Sequence, residues 1–170
     1  ISFGQGSLLY SIGPRAFYHT SILFISFPHS LYYVGDFAFG YISNLRTVEF
    51  GNSTESNGHN LQTIGHSAFA RTNITSIVIP SSVENIGDSC FQHCLVLGQV
   101  IFSQGSHLTS IGSLSFSQSG ITNITIPSSV EAIRSNAFYM CIYLTVLEFQ
   151  EGSALVSIGE LAFYETSIIS

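Results

Sequence analysis

Apolar residues in this chain follow two short patterns that alternate from end to end. The first has the form L-x-x-I-x-I, as in Ile74/Ile77/Ile79, Leu97/Val100/Phe102, Ile121/Ile124/Ile126 and Leu144/Leu147/Phe149. Its last two apolar positions alternate with polar ones, which predicts a short strand with one buried side. The second pattern closes on Phe17, Phe39, Phe69, Phe91, Phe116, Phe138 and Phe163, at gaps of 22, 30, 22, 25, 22 and 25 residues. Five residues before each lies Ile12, Val34, Ile64, Ile86, Ile111, Ile133 or Ile158, usually followed by Gly. This I-G-x-x-A-F segment predicts a short strand or turn, then roughly one helical turn carrying the Phe. Gly is expected to permit a tight bend. The small residue at Ala16, Ala38, Ala68, Ala137 or Ala162 would permit close stacking.

Self-similarity at this period marks a solenoid, because one unit of this size cannot bury its own apolar side. Two unit types alternate in a double repeat of 47 residues. The shorter is clearest from Leu61 and Leu108, and the longer from Val83 and Val130. The expected fold is an α/β-type solenoid of seven units of 22–25 residues, with a parallel β-sheet on one face and short helical or strand turns on the other. All 170 residues belong to one such segment, expected to be an excerpt of a longer array. The seven Phe side chains should form one buried ladder, each contributing roughly 1.5–3 kcal/mol. Pro28, Pro80 and Pro127 follow the strand in the short units, where a missing N–H ends ladder pairing. The join at 51–60 is five residues longer than its equivalents, which belongs in a surface loop.

Composition narrows the function classes. Charged residues are 8% of the chain, Lys is absent, and the net charge is −6. Arg15, Arg46, Arg71 and Arg134 are scattered, so the basic stripe that nucleic acid requires is missing. Residues 21–42 are apolar enough to suggest a membrane span, but Pro28, His29 and Asp36 interrupt them and every apolar residue keeps the repeat register. No membrane span is expected in this segment.

The wording "IPSSVxxIGxxxFxxCxxLxxVxF" resembles the BspA-like leucine-rich repeats, found in surface proteins of certain bacteria and parasitic protists. Matching positions include Ile79-Pro80-Ser81-Ser82-Val83, Phe91/Cys94/Leu97 and Phe138/Cys141/Leu144. Departures are Arg134 where Gly is usual, and Cys90 and Ser115 where the small Ala is usual. The resemblance covers essentially the whole chain. It implies a right-handed leucine-rich-repeat coil stack, a cell-surface location and an adhesion role.

Candidate chemistry is sparse. Cys94 and Cys141 lie two units apart, about 9–10 Å at strand spacing, beyond disulfide reach. Cys90 should point inward, so all three are expected to be buried free thiols. His19 and His93 share a motif position roughly 14 Å apart, and His29, His59, His66 and His107 occupy various loops, so no metal site is expected. Glu84 and Glu131 are equivalent residues two units apart, and Glu49 and Glu148 four units apart, which makes no acid–base pair. No nucleophile-elbow, P-loop or dinucleotide signature occurs. The chain is expected to be non-enzymatic and to need no cofactor.

What remains is the outward row of the strands. Arg46, Thr47, Glu49, Thr75, Ser76, Gln99, Thr122, Asn123, Thr125, Thr145 and Glu148 form a ladder of small, mostly uncharged groups. Such a surface suits a protein or glycan ligand, met through hydrogen bonds and shape. Asn52, Asn73 and Asn123 head N-x-S/T strings and are candidate glycosylation sites. The residues themselves point only to a neutral recognition surface, and the resemblance implies an extracellular adhesion or interaction module; the alternative is a cytoplasmic scaffold or spacer built from the same coils.

Overall fold

A computed structural model describes residues 1–4, 6–51 and 60–169. The chain winds as a parallel β-solenoid of about six turns. Two-residue strands line one side: β1 (Ser11–Ile12), β3 (Tyr33–Val34), β5 (Thr63–Ile64), β7 (Asn85–Ile86), β9 (Ser110–Ile111), β11 (Ala132–Ile133) and β13 (Ser157–Ile158). They pair in that order into one unbroken parallel sheet. Four-residue strands line another side: β2 (Phe24–Phe27), β4 (Thr47–Phe50), β6 (Ser76–Ile79), β8 (Gln99–Phe102), β10 (Asn123–Ile126) and β12 (Val146–Phe149). Their buried positions are the alternating apolar ones, such as Ile77/Ile79 and Ile124/Ile126.

The core is the strip of side chains between these walls. Phe39, Phe69, Phe91, Phe116 and Phe138 are fully buried. Phe17 and Phe163 cap the row and are partly buried. All seven rings stack, with centroids 5.0–5.6 Å apart and planes within 3–11° of parallel.

The expected helical turns do not form, and the described residues contain no helix. The backbone around each Phe explains why. The residues two before and two after every Phe adopt left-handed φ of 50–61°, from Arg15 and His19 to Leu161 and Glu165. Alternate N–H groups therefore point in different directions. Ala68 and Ala70 N–H bond within the coil to the carbonyls three residues back, whereas Ser67, Phe69 and Arg71 N–H bond to Asp88, Cys90 and Gln92 of the next coil. A helix would need every N–H for its own turn. Left-handed backbone costs a non-glycine residue roughly 1–2 kcal/mol, and the coil-to-coil bonds offset it.

The glycines after the short strands also differ from expectation. They do not supply a positive φ; beyond Gly13 in the first coil, they let adjacent coils touch. A Cβ on Gly87 would lie 2.6 Å from the Gly65 backbone, and one on Gly159 2.4 Å from Ser135 N. The Gly87 N–H meanwhile donates to Ile64 at 2.8 Å, so the same residue carries the ladder and the close approach.

All three cysteines are buried and free. Cys94 S–H donates to the Phe69 carbonyl at 3.2 Å, and Cys141 S–H to that of Phe116 at 3.0 Å. Burial pushes the Cys94 thiol up to about 11 and raises those of Cys90 and Cys141. Cys94 and Cys141 occupy the core position that Thr72 and Ser119 fill in neighbouring coils, and Cys90 the one filled by Ala68 and Ser115.

Candidate functional site

The four-residue strands do not make the single sheet expected of them. They form β2–β4 and β12–β10–β8–β6, with no strand pairing between β4 and β6. The cause lies in the unit order. Where a long unit follows a short one, four residue pairs form, as in β2–β4, β6–β8 and β10–β12. Where a short unit follows a long one, β8–β10 keeps one pair, Gln99↔Asn123, and β4–β6 keeps none.

Backbone distances at equivalent positions show the same alternation. Arg46, Gly98 and Thr145 N–H reach the preceding coil at 3.0, 3.0 and 2.9 Å, but Thr75 and Thr122 only at 3.4 and 3.3 Å. At the other end of the strands, Gly51, Ser103 and Gln150 N–H donate back at 3.0 Å. Short units place Pro28, Pro80 and Pro127 there, with no N–H to give. A proline thus weakens the joint to the coil before it. At β4/β6 the longer 51–60 join coincides with this weak joint.

The result is a surface cleft of about 560 Å³ over the β4/β6 joint. Arg46, Thr47 and Glu49 form one wall; Thr75, Ser76 and Val78 form the other. Five of the sequence-predicted face residues therefore come together in one concavity. Gln99, Thr122, Asn123, Thr125, Thr145 and Glu148 lie outside it, along the flat continuation of the face. All are exposed except Thr145, which is half-buried. Bonds between coils order this flat part, Thr125 Oγ1 donating to Glu148 Oε2 at 3.2 Å and Thr145 Oγ1 to the Thr122 carbonyl at 3.1 Å, while Asn123 Nδ2 donates to the adjacent Thr122 Oγ1 at 3.1 Å. Exposed Val78, Ile101 and Val146 interleave with the hydroxyls.

The cleft itself was not anticipated, although Pro80 and the long 51–60 join are its signals in the sequence. Asn73 and Asn123 are exposed. Asn52 and His59 lie outside the described residues. No group of three or more His, Cys, Asp or Glu among the described residues is arranged to hold a metal ion. The same residues include no helix long and apolar enough to cross a membrane. Chemically, the cleft offers hydroxyls, one guanidinium and one carboxylate at a surface that can bind by hydrogen bonds and contact.

A family model described as "BspA type Leucine rich repeat region" matches residues 10–61 and 62–170 in six copies. No curated protein matches the chain by sequence. Among solved structures, the chain is similar to the Treponema (T. pallidum) leucine-rich repeat protein, with TM-score 0.78 and 25% identity over 94% of this chain and 72% of that one. It is also similar to the pneumococcal vaccine antigen PcpA, with TM-score 0.73 and 25% identity over 85% of this chain and 36% of that one. A Bacteroides ovatus leucine-rich repeat protein gives TM-score 0.68 and 27% identity over 94% of this chain and 45% of that one. The chain thus spans less than half the length of the last two.

Proposed function

We propose, from the premise that this chain belongs to the BspA-type leucine-rich repeat family, that it is a non-catalytic interaction module of a cell-surface protein, acting in adhesion. One observation carries the reading. The four-residue strands present an ordered row of hydroxyls and aliphatic groups, and that row deepens into the β4/β6 cleft. A nearly neutral surface of this kind binds by fit and short-range hydrogen bonds rather than by long-range steering. The ligand class it suits is a protein or glycan exposed on another surface. The similarity to a vaccine antigen supports a surface location.

The experiment uses this chain immobilised and challenged with host cells or matrix. Thr47→Arg combined with Ser76→Arg fills the cleft with bulk and charge, while both sites are exposed and leave the core untouched. Binding is expected to fall at least about tenfold with the thermal midpoint unchanged. Full retention would remove the cleft from the binding surface. Thr122→Arg then tests the flat part of the face in the same assay.

A further inference from the structure

The turn run around each Phe presents a second surface, separate from the four-residue strands. The residue two after each Phe is left-handed and never buried: His19, Tyr41, Arg71 and His93 in the first four coils. The first three pack against one another along the solenoid. The Arg71 guanidinium lies 5.4 Å from the Tyr41 ring centroid, and the His19 ring 5.5 Å from it on a neighbouring coil. Beside this row Arg15 sits 5.6 Å over the Phe37 ring, which also meets His66 at 5.1 Å. Tyr18 joins the two groups, 5.4 Å from Tyr41 and 6.1 Å from Phe37.

Three properties distinguish this cluster. It holds two of the four Arg of a chain of net charge −6, with three of the six His beside them. The nearby carboxylates are partly committed: Asp36 Oδ1 accepts the His66 N–H and Asp88 Oδ1 the Ser113 N–H, both at 2.8 Å. Neither guanidinium is held by a carboxylate among the described residues, yet each is oriented over a ring. A pre-oriented planar fork binds carboxylates in pairs of hydrogen bonds and loses little entropy in doing so.

The rings decide between ligand classes. Tyr41 is flanked by Arg71 and His19, and Phe37 by Arg15, His66 and Tyr18, so neither offers the open ring face that a sugar would stack on. Arg and Tyr packed together are instead the residue types that dominate protein–protein contacts. Charge beyond about 8 Å is screened at physiological salt, so the acidic remainder of the chain does not cancel the local attraction.

We propose that the turn side of the first four coils binds a carboxylate-rich polypeptide segment, with Arg15 and Arg71, two coils apart, each taking a carboxylate. The test measures fluorescence anisotropy of a labelled peptide of alternating Glu and Ser, titrated with the whole chain. The Gln/Ser peptide and a uronate polysaccharide serve as comparison probes. Binding of the Glu peptide is expected to weaken with added salt and by at least about tenfold in the Arg15→Gln/Arg71→Gln double variant. Arg134→Gln, an exposed residue outside the first four coils, should leave it unchanged. Both Arg side chains are exposed, and an unchanged melting curve confirms folding of the variants. Equal binding of the Gln peptide, an unaffected double variant, an equal loss in Arg134→Gln, or preference for the polysaccharide would each overturn the proposal.

Discussion

Single residues in this chain act through position in the coil, so one substitution means different things in different coils. Phe91 is flanked by stacked rings on both sides, at 5.6 and 5.3 Å, and is fully buried. Phe91→Ala is expected to cost about 3–5 kcal/mol in denaturant unfolding, and Phe17→Ala clearly less, since Phe17 has one stacked neighbour in the row and is only partly buried. Ser115 makes the opposite case. Its Oγ is buried without a hydrogen-bond partner, in a row where neighbouring coils have Cys90 and Ala137. Ser115→Ala should therefore stabilise the fold by roughly 1 kcal/mol, read as a shift in denaturation midpoint. The thiols give a pH prediction of definite sign. Burial raises their pKa in the folded state, so the unfolded chain ionises first as pH rises. Stability is then flat through neutral pH and falls above the usual thiol range, by up to roughly 1.4 kcal/mol per pH unit for each fully shifted thiol. Cys94→Thr, copying Thr72, should remove part of that alkaline loss; an unchanged pH profile would contradict the assignment.

At the scale of elements, the alternation of strong and weak joints is the main result, and it can be tested by moving a proline. Ser103 N–H donates to Ile79 at 3.0 Å, at the position occupied by proline in the short units. Ser103→Pro is thus compatible with the local backbone and should cost only the lost bond, about 1–3 kcal/mol including the orphaned carbonyl. It should also loosen the β6–β8 ladder, seen as faster amide exchange at Gly98. Gly87→Ala and Gly98→Ala make a matched pair. The first pushes a Cβ into backbone at 2.6 Å; the second meets only Gly120 O at 4.0 Å and is expected to be neutral. Much of this level was legible in advance. The spacing of Ile and Phe located the strands, the ring stack and the alternating unit types, because burial repeats with the coil. The turns are not legible because the αL residues beside each Phe are mostly types such as Arg, Ser, Leu and Glu, which carry no local signal for positive φ. Only bonds between coils select that backbone, and such bonds are invisible within one unit. The break between β4 and β6 was legible in parts, as a proline and a longer join, but not in their sum.

For the whole molecule the question is whether the missing β4–β6 ladder divides it into two independently unfolding blocks. Two other walls cross the same joint intact. The short strands pair there through Tyr33↔Thr63 and Val34↔Ile64, and the Phe39 and Phe69 rings stack at 5.4 Å. Turn-run bonds from Phe37, Phe39 and Tyr41 to the next coil, at 2.7–2.8 Å, add a third tie. A solenoid unfolds in blocks only when one interface is weaker than the coils on either side. Here one wall of the coil opens while the core strip continues, so the coils should stay coupled. The chain has no Trp, which leaves room for reporters at both ends of the ring row. Phe17→Trp and Phe163→Trp occupy partly buried sites that can admit a larger ring. Their fluorescence transitions in urea are expected to share one midpoint. Adding Phe69→Ala removes the stacked ring at the weak joint and should separate the two midpoints, because only the short strands and turn bonds then carry the coupling. Separate midpoints without that change would mean that the cleft, and not the aromatic strip, sets the cooperative unit.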